Sequence, residues 1–212
     1  MNLSHREARL AGRAPRHSDG QQTELAYPML EIAARIFRTP AQRHLRHIMV
    51  TGAMRRVGTS FIARSLANAL SLGATRVLIV EVQPAQEAPD ELPRLLEAPA
   101  MTSAEQPTTL RLGSTEFMGL IAPGSAHFAD VSIRLSERFD IVIWDMPPPG
   151  MATPTSVAAE LMDGVMLVIE NGRTSRRALV YAAERLRTSD ATMLGVVMNR
   201  VSSKRPNWLG GA

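Results

Sequence analysis

Two periods of apolar residues alternate along the chain. HIMVT (47–51), RVLIVEV (76–82), FDIVIWD (139–145), DGVMLVIE (163–170) and MLGVVMN (193–199) are short, nearly unbroken apolar runs rich in β-branched residues, as expected of strands buried on both faces. Between them the apolar positions recur every three or four residues. Ser60 to Leu72 places Ile62, Leu66, Ala69 and Leu70 on one face before Gly73, which predicts an amphipathic helix. A helix over 24–38 is predicted with Leu30, Ala33, Ile36 and Phe37 inward, ended by Pro40. Further helices are expected over 127–138, in TSVAAELM (155–162), and in TSRRALVYAAERLR (174–187), capped by Thr174 or Ser175. The apolar stretch FMGLIA (117–122) precedes the 127–138 helix. Strands alternating with helices at this spacing predict an α/β protein with a mostly parallel sheet and helices on both faces, whose ligands bind beyond the carboxyl ends of the strands.

The alternation stops in two places. Residues 1–22 are polar, Arg-rich and without period, and are expected to form a disordered arm. Residues 84–109 carry Pro84, Pro89, Pro93, Pro99 and Pro107 among Glu and Ala, which predicts a mobile loop with a helical turn or two in ELPRLLE. One domain over 23–203 and a flexible tail over 204–212 complete the expected organisation.

Composition narrows the function classes. With 212 residues and 45% hydrophobic content the chain can bury one substantial core. It has no cysteine, so disulfides and thiolate metal sites are excluded and a reducing compartment is expected. No run reaches the roughly 18 apolar residues of a membrane span, and the N-terminus lacks an apolar signal core; a soluble cytoplasmic protein is expected. The net charge is +4, but the basic residues are scattered among carboxylates with few aromatics between them, so no nucleic-acid partner is expected. Lys204 is the only lysine.

GAMRRVGTS (52–60) joins the first strand to the next helix, where a phosphate-binding loop would sit. Such a loop needs small residues that let backbone N–H groups face phosphate, a helix N-terminus, a lysine for the β and γ oxygens, and a hydroxyl for magnesium. In the frame G-x-x-x-x-G-K-[ST], Gly58 and Ser60 are kept, while Ala53 replaces the first glycine and Thr59 the lysine. Arg55 and Arg56 offer charge from within the loop. Asp145 ends one strand and Glu81 another, so Ser60, Glu81 and Asp145 are three oxygen groups that converge if those strand ends meet. A plain strand-to-helix turn is the alternative reading of the same residues.

From Ile48 onward the sequence resembles the cytoplasmic domain of bacterial tyrosine kinases of the CpsD/CapB/Wzc type, and more broadly the MinD/ParA-type deviant P-loop ATPases. The resemblance lies in RVLIVEVQ, FDIVIWDMPPP, DGVMLVIENGRTSRRAL and LGVVMNRV. It implies a three-layer P-loop NTPase-like fold; ATP or ADP with Mg2+ on the loop residues Arg55, Arg56, Val57, Gly58, Thr59, Ser60 and Phe61; Ser60 and Asp145 at the metal; Glu81 and Asp145 as catalytic carboxylates; and Asn199 facing the adenine. It also implies a membrane polysaccharide co-polymerase or chain-length regulator as partner, homo-oligomers, and a location at the inner membrane through that partner.

Several family features are altered. Glu81 and Gln83 stand where the family has a D-x-D strand end, and Met54 and Thr59 where it has lysines. The only tyrosines are Tyr27 and Tyr181, so the tail VSSKRPNWLGGA offers none to autophosphorylate. Glu31, Arg35 and Arg38 only approximate the family's E-x-x-R-x-x-R oligomerisation motif. The expectation is a degenerate kinase that acts as a regulator or scaffold of exopolysaccharide or capsule synthesis and export. Two alternatives stay open: an active ATPase or tyrosine kinase using arginine for lysine, and a localisation ATPase of the MinD or cellulose-synthesis type.

Overall fold

A computed structural model describes residues 18–37, 45–83, 91–98, 106–122, 124, 126–150 and 153–201. In chain order the elements are α1 (Ser18–Phe37), β1 (His47–Gly52), α2 (Thr59–Ser71), β2 (Val77–Gln83), α3 (Leu92–Glu97), β3 (Thr108–Gly113), α4 (Ser114–Leu120), α5 (His127–Arg138), β4 (Ile141–Met146), α6 (Thr153–Ala159), β5 (Gly164–Glu170), α7 (Arg176–Arg187) and β6 (Met193–Asn199). The six strands form one sheet in the order β3-β2-β4-β1-β5-β6, and every pairing is parallel. The apolar runs follow from that arrangement: β1, β4 and β5 have neighbours on both edges and helices over both faces, so both sets of side chains are buried.

Each face has its own core. On one, α1 and α2 cover the sheet with Met29, Ala33, Ile62, Leu66 and Leu70 against Ile48, Val50 and Ile143. On the other, Phe117, Phe128, Leu135, Ala182 and Leu186 pack on Trp144, Val165 and Leu167. Full burial of such aliphatic side chains stabilises the fold by about 1.5–3 kcal/mol apiece, so the two layers hold β1, β4 and β5 firmly and their carboxyl ends fall in one row.

A polar cluster marks the other end of β1. Asp163 Oδ2 accepts the backbone N–H of His47 at 2.7 Å and of Arg46 at 2.8 Å. His47 Nδ1 accepts the Trp144 indole N–H at 3.2 Å, so the ring proton lies on Nε2, which stands 2.7 Å from Ser132 Oγ. Burial lowers the His47 pKa, a shift that the nearby Asp163 charge only partly opposes.

The expected strands and most helices are present, with informative departures. TTLRLG forms β3 where a loop running to 109 was expected; Leu110 and Leu112 alternate inward while Thr109 and Arg111 face solvent, the period of an edge strand. FMGLIA falls largely within α4, with Phe117 inward. ELPRLLE contains the helix α3, whereas residues 84–90 and 99–105 of the expected loop lie outside the described residues. α1 begins at Ser18, inside the stretch read as an arm; residues 1–17 and the tail 204–212 lie outside the described residues. Its inward face holds Ala33 and Ile36 as expected, with Met29 buried where Leu30 was expected; Leu30 is 38% exposed.

Candidate functional site

The loop after β1 is shaped by close packing. A Cβ on Gly52 would lie 2.6 Å from Thr59 Oγ1 and 2.7 Å from Val57 Cγ2, so only glycine lets the loop fold back onto the strand end. Gly58 caps α2 with φ 87, a left-handed conformation, and a Cβ there would run into Asn199 Nδ2. Arg56 is also left-handed, at φ 62. That conformation costs a non-glycine residue about 1–2 kcal/mol, and the neighbouring strand ends hold it in place. Ala53 N–H donates to Val168 O at 2.9 Å, Arg173 Nη1 donates to Arg56 O at 2.9 Å, and Asn199 Nδ2 donates to Val57 O at 2.9 Å. Arg173 is anchored in turn by Glu170, which also pairs with Arg200 at 2.7 Å; both arginines, Arg200 first, hold the Glu170 carboxyl below its ordinary pKa.

Between this loop, the first turns of α2 and the ends of β2 and β4 lies an open cleft of about 710 Å³, within the size range of small-molecule sites. The structure brings Arg55, Arg56, Gly58, Thr59, Ser60, Phe61, Glu81 and Asp145 to its walls. Asp145, only 9% exposed, has a pKa raised to about 6, chiefly by burial and further by the Glu81 charge, while a hydrogen bond with Ser60 and the charge of Arg64 oppose the rise. Arg55 and Arg56 are exposed and have no carboxylate partner among the described residues.

Three expected residues are placed otherwise. Val57 does not line the cleft; its side chain is fully buried in the core. Asn199 is also buried, its amide spent on Val57 O and its Oδ1 on the Arg200 N–H at 2.8 Å, so it braces the loop from behind where it was expected to face a base. Glu81 reaches the cleft but is engaged: Oε1 accepts from Arg64 Nε at 3.0 Å and Nη2 at 2.6 Å, and Oε2 lies 3.3 Å from Gln83 Nε2 and 3.9 Å from Arg111 Nε. A carboxylate so occupied is a poor metal ligand in this arrangement.

Sequence reasoning missed Arg64. Its signal was the spacing: four residues after Ser60, it projects from the same side of α2 one turn on. The Arg173–Glu170–Arg200 brace was also missed, although the segment carrying Arg173 stood out in the sequence.

The donor set fits a phosphate-bearing ligand. The loop is held in a cradle that Cβ atoms at positions 52 and 58 would obstruct, a helix N-terminus opens on it, and three arginines reach the cleft. Ser60 and Asp145 are hard oxygen donors suited to Mg2+. Among the described residues no group of three or more His, Cys, Asp or Glu could hold a metal by itself.

No protein-family model matches the chain. The tyrosine-protein kinase CpsD of Streptococcus agalactiae serotype Ia is 26% identical over 194 residues, covering 91% of this chain and 74% of that protein. The kinase domain of the Escherichia coli tyrosine kinase ETK superposes with a TM-score of 0.64 at 16% identity, over 87% of this chain and 79% of that one. MinD cell division protein of Aquifex aeolicus gives 0.55 at 16% identity, over 74% and 70% of the two chains. The all-parallel sheet and the loop at the end of β1 thus define a MinD/ParA-like P-loop fold. Within that class, the chain is similar in sequence to tyrosine-protein kinases of the CpsD type, and the loop after β1 carries Thr59 where a phosphate-binding loop has its lysine. No helix among the described residues is long and apolar enough to cross a membrane.

Proposed function

We propose that the protein is a degenerate member of this kinase family that retains adenine nucleotide binding and acts as a regulator or scaffold of exopolysaccharide or capsule synthesis and export, with a membrane co-polymerase as partner. The observation that carries the reading is Thr59. It occupies the lysine position, its short side chain packs toward Gly52, and no ammonium group extends from it to the β and γ phosphates. Binding tolerates that loss better than catalysis does: a charged hydrogen bond contributes about 1.5–3 kcal/mol to affinity, whereas one donor aimed at developing charge changes rates by about 10² to 10³. Gly58, the α2 N-terminus, Ser60 and Asp145 remain to hold phosphate and Mg2+. The polysaccharide role and the partner come from the family resemblance alone.

Calorimetric titration with ADP and ATP in the presence of Mg2+, run beside Thr59→Lys, tests this. Micromolar to submillimolar binding by the natural protein, tightened about tenfold or more in the variant, is the expected result. No binding by either protein would return GAMRRVGTS to a structural turn. A second reading, an active ATPase or tyrosine kinase, draws support from Arg55 and Arg56 at the cleft wall. It requires Mg2+-dependent turnover of ATP that disappears in Asp145→Asn.

A further inference from the structure

We infer that Arg64 is the cation that takes over the missing lysine's work, and that Glu81 positions it instead of binding metal. This inference rests on the nucleotide-binding reading above and adds to it the residue that meets the phosphates. Side chains on an α-helix tilt toward its N-terminus. An arginine one turn beyond Ser60 therefore extends back along α2 toward the end where the phosphate cradle opens, and Arg64 lines the same cleft as Gly58, Ser60 and Asp145.

The guanidinium is partly committed and partly open. Nε and Nη2 hold Glu81 Oε1 at 3.0 and 2.6 Å, which leaves three of the five guanidinium N–H donors without a protein acceptor among the described residues. The Arg64 side chain is 57% exposed while that of Glu81 is 7% exposed. The buried member thus fixes the orientation of the accessible one. Arginine is suited to this division of labour, because a planar fork can bind a carboxylate along one edge and phosphate oxygens along another, which an ammonium point charge does less selectively.

Glu81 stands at the end of β2, paired in register with Asp145 at the end of β4. Two carboxylates side by side repel a phosphate ligand. Pairing one with Arg64 neutralises it, leaves Asp145 as the single acidic group for Mg2+, and supplies a cation that the loop does not. Arg55 and Arg56 also line the cleft, but neither has a carboxylate fixing its direction, so each would lose more rotamer freedom on binding phosphate.

The test is titration of the full chain with ADP, once with Mg2+ and once with EDTA, for the natural protein, Arg64→Gln, Arg64→Lys, Arg56→Ala and Glu81→Gln. Arg64→Gln is expected to weaken ADP binding about tenfold or more under both conditions, with partial recovery in Arg64→Lys. Glu81→Gln is expected to keep the ratio of affinities with and without Mg2+, since Glu81 does not hold the ion. If ADP binds the natural protein and Arg64→Gln binds it within twofold, the role of Arg64 is refuted while nucleotide binding stands. Loss of affinity in Arg56→Ala but not in Arg64→Gln would move the cation to the loop. Collapse of the Mg2+ enhancement in Glu81→Gln would make Glu81 a metal ligand. Failure of the natural protein to bind ADP would remove both the nucleotide reading and this one.

Discussion

Asp145 carries a charge held at a cost, and removing that charge should stabilise the protein. Its carboxyl titrates at about 6 instead of 3.8, first because of burial. Between those two pH values the folded protein keeps a proton that the unfolded chain has released. Stability contributed by this group is therefore present in full below the unfolded value, declines as pH rises through the window, and stays low above it. A shift of about two units corresponds to roughly 3 kcal/mol. Asp145→Asn keeps the shape and an acceptor for the Ser60 hydroxyl while deleting the ionisation. In urea titrations at pH 4, 5, 6 and 7.5 with EDTA present, the variant and the natural protein should nearly coincide at pH 4. They should separate to about 3 kcal/mol in the variant's favour above pH 6, or about 6–12 °C in Tm for a domain of this size. Added Mg2+ and ADP should narrow the gap by stabilising the natural protein more than the variant. Equal stability at pH 7.5, or a less stable variant, would refute the account of Asp145 as a buried, unfavourably ionised group.

Three further outcomes follow from the packing around the site. His47 has a lowered pKa, so its contribution to stability is complete above about 6.5, the ordinary value, and is lost as pH falls below it; His47→Gln should flatten that acid slope, read from urea midpoints between pH 7.5 and 5. Gly58→Ala forces a side chain into a left-handed position against Asn199 Nδ2 and should cost about 1–3 kcal/mol, seen as a lower urea midpoint, and weaken ADP binding. Ser175 accepts the Ala178 N–H at 3.1 Å as the cap of α7, so Ser175→Ala should cost about 1 kcal/mol by thermal denaturation without changing ADP affinity.

The central strands were legible in the sequence because burial on both faces leaves an unbroken apolar run, as in VLIVEV and IVIWDM. β3 was hidden because an edge strand keeps alternate positions polar: Thr109 and Arg111 beside a proline-containing stretch look like a loop until Leu110 and Leu112 are seen to pair with β2. The loop, Ser60 and Asp145 could be placed on the cleft from spacing alone, since strand ends in a parallel sheet lie in one row. Arg64, the burial of Val57 and the inward turn of Asn199 could not. Each depends on which direction a side chain takes between elements far apart in the chain, and a one-dimensional pattern does not encode that direction.

The strand order has a consequence for how the protein is made. β1 lies between β4 and β5, pairing His47 with Val142 and Ile48 with Gly164, so neither edge of this early strand has a partner until the later half of the chain has been synthesised. β2 and β3 are close in sequence and paired directly, and can associate while translation continues. Non-local parallel pairing is slow and leaves unpaired strands open to aggregation. During synthesis, the apolar run of β1 is thus the segment that waits longest for its neighbours, and the nascent chain is most in need of chaperone protection until β4 and β5 have emerged.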